Sequence, residues 1–312
     1  MKYIRGTTDF YIEEDTVLSL GKFDGIHRGH ELLLEHLSAK KECGLSAVIF
    51  TFDIPPRRNV SHVEAKVLTT NEEKRYMFEH LGMDYLVECP FTTEIMHMEP
   101  EQFIEKLVRQ LHARCIVAGA DFHFGHNRAG DAQTLRECAS HYGYEVIVIG
   151  KKKEGDRDIS STFVREEIEQ GHIGMANRLL GYRYFVTGVV AHGNQIGRQI
   201  GIPTINQLPP EEKLLPPNGV YVTEVYMEEQ KYRGVTNVGR KPTVGVDNPV
   251  GVETHLLDFR EDVYGRMVTV EFLSRIRGER KFPSVDALRE QMMSDIAFAR
   301  AYFNGDGHLF PS

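Results

Sequence analysis

The 312 residues comprise 41% hydrophobic and 26% charged side chains, with a formal net charge of −8. That is ordinary globular composition, enough for about two domains of roughly 100–200 residues whose cores need no disulfide or structural metal. It excludes the broad basic face of a nucleic-acid binder, since the only basic run is Lys151–Lys152–Lys153.

The opening segment, MKYIRGTTDFYIEED, has no apolar h-region, so no signal peptide is expected. No apolar run approaches the roughly 18 residues of a membrane helix. Cys43, Cys89, Cys115 and Cys138 lie far apart without a C-x-x-C pair. That pattern suits reduced thiols in a cytoplasmic protein rather than a zinc site or a disulfide framework.

In chain order, residues 16–20 (TVLSL) predict a strand, 31–39 (ELLLEHLSA) a helix and 45–52 (LSAVIFTF) a second strand. Residues 71–80 are helical and 85–88 form a short strand. Residues 99–111 place Phe103, Leu107 and Leu111 at helical spacing, and 115–119 and 144–149 are further strands. Strands separated by helices imply a parallel sheet with right-handed crossovers. A helix over 162–170 follows.

The character changes near 180–184. Residues 183–191, 219–226, 232–238, 252–258 and 267–273 alternate or are rich in β-branched and aromatic side chains, punctuated by Gly, Pro and Asn. This predicts an antiparallel barrel or sandwich. Val285, Leu288, Met292, Ile296 and Ala299 then recur at helical spacing. The expected domains are 1–181 and 182–312.

Chemistry concentrates in three segments of the first half. Residues 21–30, GKFDGIHRGH, sit at a strand–helix junction. Gly21, Gly25 and Gly29 allow close backbone approach, and a helix start attracts phosphate. His27 and His30 can face one ligand and donate to phosphate oxygens; no third ligand is spaced to make them a metal site. In residues 159–165, ISSTFVR, Ser160 or Ser161 caps a helix, and with Thr162 and Arg165 this segment can bind the same phosphates. Residues 119–125, GADFHFG, follow a strand at the end where parallel sheets place ligands, although their aromatics also suit a core.

These motifs, in this order, resemble the adenylyltransferase half of bacterial bifunctional riboflavin kinase/FAD synthetases. The second half resembles the kinase module through residues 197–206 (GRQIGIPTIN), 217–221 (PNGVY), 234–243 (GVTNVGRKPT) and 252–259 (VETHLLDF). The resemblance covers nearly the whole chain. It implies an α/β Rossmann-like nucleotidyltransferase domain, followed by a six-stranded antiparallel barrel with a terminal helix.

The resemblance further implies ATP, riboflavin and FMN as substrates, FMN and FAD as products, and Mg²⁺ at the kinase site; it allows a homo-oligomer. His27 and His30 become catalytic, with Phe23 and Asp24 in the phosphate site and Asp121, Phe122 and Phe124 on the flavin. Thr204 and Asn206 alternate on an extended segment, and hard oxygen ligands suit Mg²⁺, to which the resemblance assigns them. It makes Glu253 the base for the riboflavin hydroxyl. Gly193, Gly197 and Gly201 would let a loop close over phosphates, and Arg198 would aid them or pair with an acid.

Two departures stand out. The family's T-F-x-P-H-P is here Thr51-Phe52-Asp53-Ile54-Pro55-Pro56, without the histidine, and His62 is no assumed substitute. Ile205 replaces the commoner Ala, with its side chain expected to face away from the metal ligands. The competing readings are a riboflavin kinase with an impaired first domain and a non-catalytic flavin-binding regulator.

Overall fold

The computed structural model describes residues 1–53, 66–193, 197, 200–240 and 250–305. The chain divides into two compact units, Met1–Ser161 and Thr162–Ser312.

The first unit is a six-stranded parallel sheet. Its strands are β1 (Lys2–Arg5), β2 (Thr16–Leu20), β3 (Ser46–Asp53), β4 (Tyr85–Pro90), β5 (Ala113–Gly119) and β6 (Glu145–Ile149), in the order β1-β4-β3-β2-β5-β6. Every residue of β2 is buried, as a central strand covered on both faces requires. Alternate side chains feed two cores. Leu18, Leu20, Val48 and Phe50 join one with α4 (Pro100–Leu111) and α5 (Ala132–Tyr142); Val17, Ala47 and Ile49 join the other with α1 (Arg28–Glu42) and α2 (Asn71–His80). A one-turn helix, α3 (Thr93–Met96), precedes α4, and a two-stranded hairpin pairs β7 (Lys153–Glu154) with β8 (Arg157–Asp158).

The chain leaves β2 toward β3 on one side and returns to β5 on the other. The β2/β5 seam is therefore the topological switch point, where open parallel sheets bind ligands. Local chemistry fixes the helix starts. Thr70 and Glu73 form a reciprocal capping box at α2, and Asp131 accepts from Gln133 N and Thr134 N, both at 2.9 Å, at α5.

The second unit is a six-stranded antiparallel sheet of β9 (Phe185–Val189), β10 (Ile205–Gln207), β11 (Gly219–Met227), β12 (Gln230–Arg240), β13 (Val250–Leu256) and β14 (Met267–Gly278). The order is β10-β13-β12-β11-β14-β9. The sheet nearly closes on itself. Ala191 N donates to Asn206 O at 2.8 Å, and Gln207 Nε2 reaches Gly188 O at 3.2 Å and Val268 O at 3.0 Å. Inside run Tyr221, Phe272 and a threonine chain, Thr223–Thr236–Thr254, linked at 2.7 and 2.8 Å. Outside, Val220, Val222 and Val235 meet Ile296 and Ala299 of the terminal helix α8 (Val285–Phe303). Two helices, α6 (Ser161–Gln170) and α7 (Ile173–Leu180), precede the barrel; Ser161 alone of α6 falls in the first unit.

The predicted strands and helices form, with limits differing by a few residues. α1, for example, runs from Arg28 to Glu42 rather than 31–39. The elements that went unpredicted are β1, α3, α5, the β7/β8 hairpin and α7, while β10 was expected only as an extended segment. α5 (AQTLRECASHY) sets Leu135, Cys138, Ala139 and Tyr142 against the core at helical spacing, but only Ala132 and Leu135 are fully buried.

The ion pair that fastens α8 to the barrel is nearly dry. Asp295, 3% exposed, takes Arg277 Nε at 3.0 Å and Nη2 at 2.7 Å, and also Gln291 Nε2 at 3.0 Å. Removing one partner of such a pair leaves a buried charge uncompensated, at a cost of about 3–5 kcal/mol. Asp295→Ala is therefore expected to lower the second unit's stability by about that amount in urea titrations followed by circular dichroism. An unchanged midpoint would show the pair to be dispensable.

Candidate active sites

The first site lies at the switch point. After β2, Gly21 N donates to Phe50 O at 3.1 Å, and the chain turns through Phe23 at φ +48°. A buried ring holds this left-handed residue in place: Phe23 packs 5.5 Å from Phe78 and 5.1 Å from His30. Gly25, at φ +78°, lies so close to Leu68 that a Cβ would fall 2.7 Å from its Cδ1. Asp24 Oδ1 accepts from Leu68 N at 2.7 Å and Thr69 N at 3.2 Å, while Gly25 N donates to Thr69 Oγ1 at 3.0 Å. The side chains of Phe23 and Asp24 thus hold the loop's shape, and what this stretch offers a ligand is backbone. Thr69 belongs to this clasp, and sequence reading passed over it because its only signal was the helix start beside it.

His27 is the N-cap of α1, and its Nδ1 accepts from Gly29 N at 3.2 Å. The proton of the neutral ring therefore sits on Nε2, leaving a donor for a ligand. His30 stacks on His27 with centroids 3.9 Å apart. Burial pushes His27 down to about 4, opposed by its own backbone hydrogen bond and by the Asp121 charge. His30 is held well below the usual imidazole range by burial and then by His27, and its Nδ1 has no hydrogen-bond partner among the described residues. Both rings are neutral donors near pH 7, at a helix start where the macrodipole favours an anion.

Residues 159–161 of the second motif meet this loop. Ser161 Oγ donates to Asp24 O at 2.7 Å, and a Cβ on Gly29 would stand 3.3 Å from Ile159 O. Ser160 precedes Ser161 at the start of α6, and Thr162 and Arg165 follow on that helix within the second unit. After β5, Asp121 is exposed and pairs with Lys151 at 3.2 Å. Phe124 takes the core option that its sequence left open: it is 5% exposed and packs on Phe103 and Phe122. Phe122 is partly buried against the same cluster. A separate cavity of about 320 Å³ opens by Arg5, Arg75 and Glu88, but Tyr3 Oη and Asn71 Nδ2 already engage Glu88 there. Of the altered 51–56 segment, residues 51–53 end β3, whereas Ile54, Pro55, Pro56 and His62 lie outside the described residues.

The second site is on the outer face of the barrel. Asn206 on β10 pairs in register with Glu253 on β13, and Thr204 Oγ1 donates to Glu253 Oε1 at 2.6 Å. Alternation puts all three side chains on one face, while Ile205 turns the other way, opposite buried Thr254. The preceding glycines are packed tightly. A Cβ on Gly193 would collide with the Asn206 amide, and one on Gly197 with Ile202 O, which also puts Gly197 beside Thr204. Gly201 adopts φ +80°. Arg198 lies outside the described residues. No cluster of three or more His, Cys, Asp or Glu poised for a metal occurs among the described residues; beside the Glu253 carboxylate stand the Thr204 hydroxyl and the Asn206 amide.

Two family models match the chain: FAD synthetase over residues 10–163 and riboflavin kinase over residues 180–303. Three curated relatives, each called bifunctional riboflavin kinase/FMN adenylyltransferase, align along most of their length. The Escherichia coli K12 protein is 35% identical over 97% of this chain and 98% of its own. The Bacillus subtilis protein is 34% identical over 93% of each, and the Listeria monocytogenes protein 32% identical over 95% of each. A crystal structure described as a macrolide-efflux protein from Streptococcus pneumoniae shares 31% identity and a TM-score of 0.84, covering 96% of this chain and 98% of that one. The efflux name belongs to that protein; no described helix here is long and apolar enough to cross a membrane.

The neutral histidines carry a pH signature. Their folded affinity for protons lies below that of the unfolded chain, so they stabilise the fold fully above pH 6.5, and that stability is lost as pH falls toward about 4. At about 1.4 kcal/mol per unit, His27 alone accounts for roughly 3 kcal/mol. Urea midpoints of the first unit should fall between pH 6.5 and 4, and His27→Gln should flatten part of that fall. An identical slope in the variant would refute the neutral, buried state.

Proposed function

The chain belongs to the family of bifunctional riboflavin kinase/FMN adenylyltransferases, and we propose that its two reactions divide between residues 1–181 and residues 182–312. It is a transferase with two activities. One converts ATP and riboflavin to FMN and ADP; the other converts ATP and FMN to FAD and pyrophosphate.

For the kinase reaction, the observation that matters most is the Thr204–Glu253 hydrogen bond, with Asn206 in register beside it. Thr204 fixes Oε1 of Glu253 and leaves Oε2 to accept the proton of the riboflavin 5′-hydroxyl as that oxygen bonds to the γ-phosphorus. Thr204 and Asn206 offer the hard neutral oxygens that suit Mg²⁺, an ion that otherwise keeps water and phosphate ligands. When bound there with ATP it would neutralise charge on the phosphates. Gly193, Gly197 and Gly201 would let backbone approach those phosphates closely.

For adenylyl transfer, an FMN phosphate oxygen attacks the α-phosphorus of ATP and pyrophosphate leaves, with no covalent enzyme intermediate. His27 donates from Nε2 to the oxygens that gain charge, and His30 supports it from the stack. Gly21, Gly25 and Gly29 supply backbone, while Ser160 and Ser161 join the phosphate site. Asp121, Phe122 and Phe124 border the flavin, Phe124 from the core. All substrates are small molecules. We place the reactions in the cytoplasm, consistent with four unpaired cysteines.

Purified protein given riboflavin, ATP and Mg²⁺ should yield FMN and then FAD, resolved by chromatography. His27→Ala should stop FAD formation and spare FMN. Glu253→Gln should slow riboflavin phosphorylation by about 10²–10⁴-fold and spare FAD formation from supplied FMN. Accumulation of FMN that never proceeds to FAD would reduce the protein to a kinase.

A further inference from the structure

Residues 234–240 of the 234–243 motif lie on β12, which pairs with β13 beside the second site. Strand register carries the row of the second site past Glu253. Asn206, Glu253, Asn237, Val220 and Arg277 stand side by side across β10, β13, β12, β11 and β14. Asn237 is thus the direct cross-strand neighbour of Glu253, on the same face, where paired Cβ atoms lie about 5 Å apart. It is half-buried, and no hydrogen bond joins its side chain to another described residue.

Two residues on, Gly239 carries no side chain, and two polar groups close in on the place one would take. A Cβ there would lie 3.4 Å from Asn237 Nδ2 and 3.2 Å from Glu279 Oε1. Glu279 is anchored through its other oxygen, which accepts from Asn218 Nδ2 at 3.1 Å. One amide and one carboxylate oxygen therefore converge on a glycine gap next to Glu253.

The chemistry of this pair selects its occupant. An amide both donates and accepts, and a carboxylate only accepts, so neighbouring hydroxyls, each donor and acceptor, satisfy both. A phosphate would confront the charges of Glu279 and Glu253. An apolar ring would desolvate both groups without return. We propose that Asn237 and Glu279 hold the hydroxylated chain of the phosphoryl acceptor and so align its terminal hydroxyl on Glu253. This deepens the kinase reading and rests on it.

The test compares riboflavin with a flavin lacking one inner hydroxyl of its side chain, in the wild type, Asn237→Ala and Glu279→Gln. Each variant should raise the KM for riboflavin at least about tenfold and leave the KM for ATP within about twofold. In at least one variant the wild-type preference for riboflavin over the deoxy analogue should collapse toward unity. Riboflavin affinity measured by flavin fluorescence without ATP should weaken in parallel. The unchanged KM for ATP and an unchanged urea midpoint of the second unit report that each variant's barrel is folded. A variant that raises the KM for ATP instead, or that penalises both flavins equally, would overturn the assignment. A wild type that makes no FMN would remove the kinase reading itself, a result distinct from either.

Discussion

Backbone register is the constraint on which the second site depends. In a strand, neighbours point to opposite faces, so a slip of one residue would turn Thr204, Asn206 and Glu253 inward and bring Ile205 and Thr254 out. The interior cannot accept that exchange, because it is filled by Tyr221, Phe272 and the threonine chain. The register is pinned at the seam as well. Gln207, inward-facing and 1% exposed, crosses to carbonyls of both β9 and β14, while the backbone of Asn206 accepts from Ala191. One segment thus closes the barrel through its inward and backbone groups and presents chemistry through its outward ones.

The first unit meets the same demand, handling phosphate, with different physics. The whole chain is acidic, so local groups must outweigh an unfavourable field. In the 21–30 loop they do so without protonated imidazoles. Burial keeps His27 and His30 neutral, and at His30 the neighbouring His27 adds to it, so the candidate site offers N–H dipoles and a helix start rather than fixed imidazolium charge. Neutral donors at fixed positions stabilise charge as it develops without binding the ground-state anion so tightly that product release suffers.

Much of this was legible in the sequence, for identifiable reasons. The parallel and antiparallel halves showed in the switch from strand–helix alternation to runs of short strands. The 21–30 and 159–165 motifs were each readable, and their meeting through Ser161 and Asp24 is a tertiary fact that neither spacing contains. Asp24 looked like a ligand group because it sits between glycines, yet its carboxylate caps Leu68 and Thr69, some 44 residues away. Asn237 was visible within a motif but acquires a role only when register sets it beside Glu253. β1 stayed hidden because it is four residues long, and α5 because its stripe is made of small or half-polar side chains, Ala132, Cys138, Ala139 and Tyr142 around one leucine.

The glycines show where a motif and its physical cause part company. Read from sequence, Gly25, Gly29, Gly193 and Gly197 suggest room for a ligand to approach the backbone. In the fold the protein itself takes up that room: Leu68 over Gly25, the ring of His27 over Gly29, the Asn206 amide over Gly193, and Ile202 O over Gly197. In two of these cases the group that moves in is itself a proposed site residue, His27 or Asn206. The missing Cβ therefore serves the ligand indirectly, by letting a functional side chain fold back onto its own loop and be held there. A glycine motif of this kind marks where a side chain must be positioned within a few tenths of an ångström, which is a stricter requirement than open space.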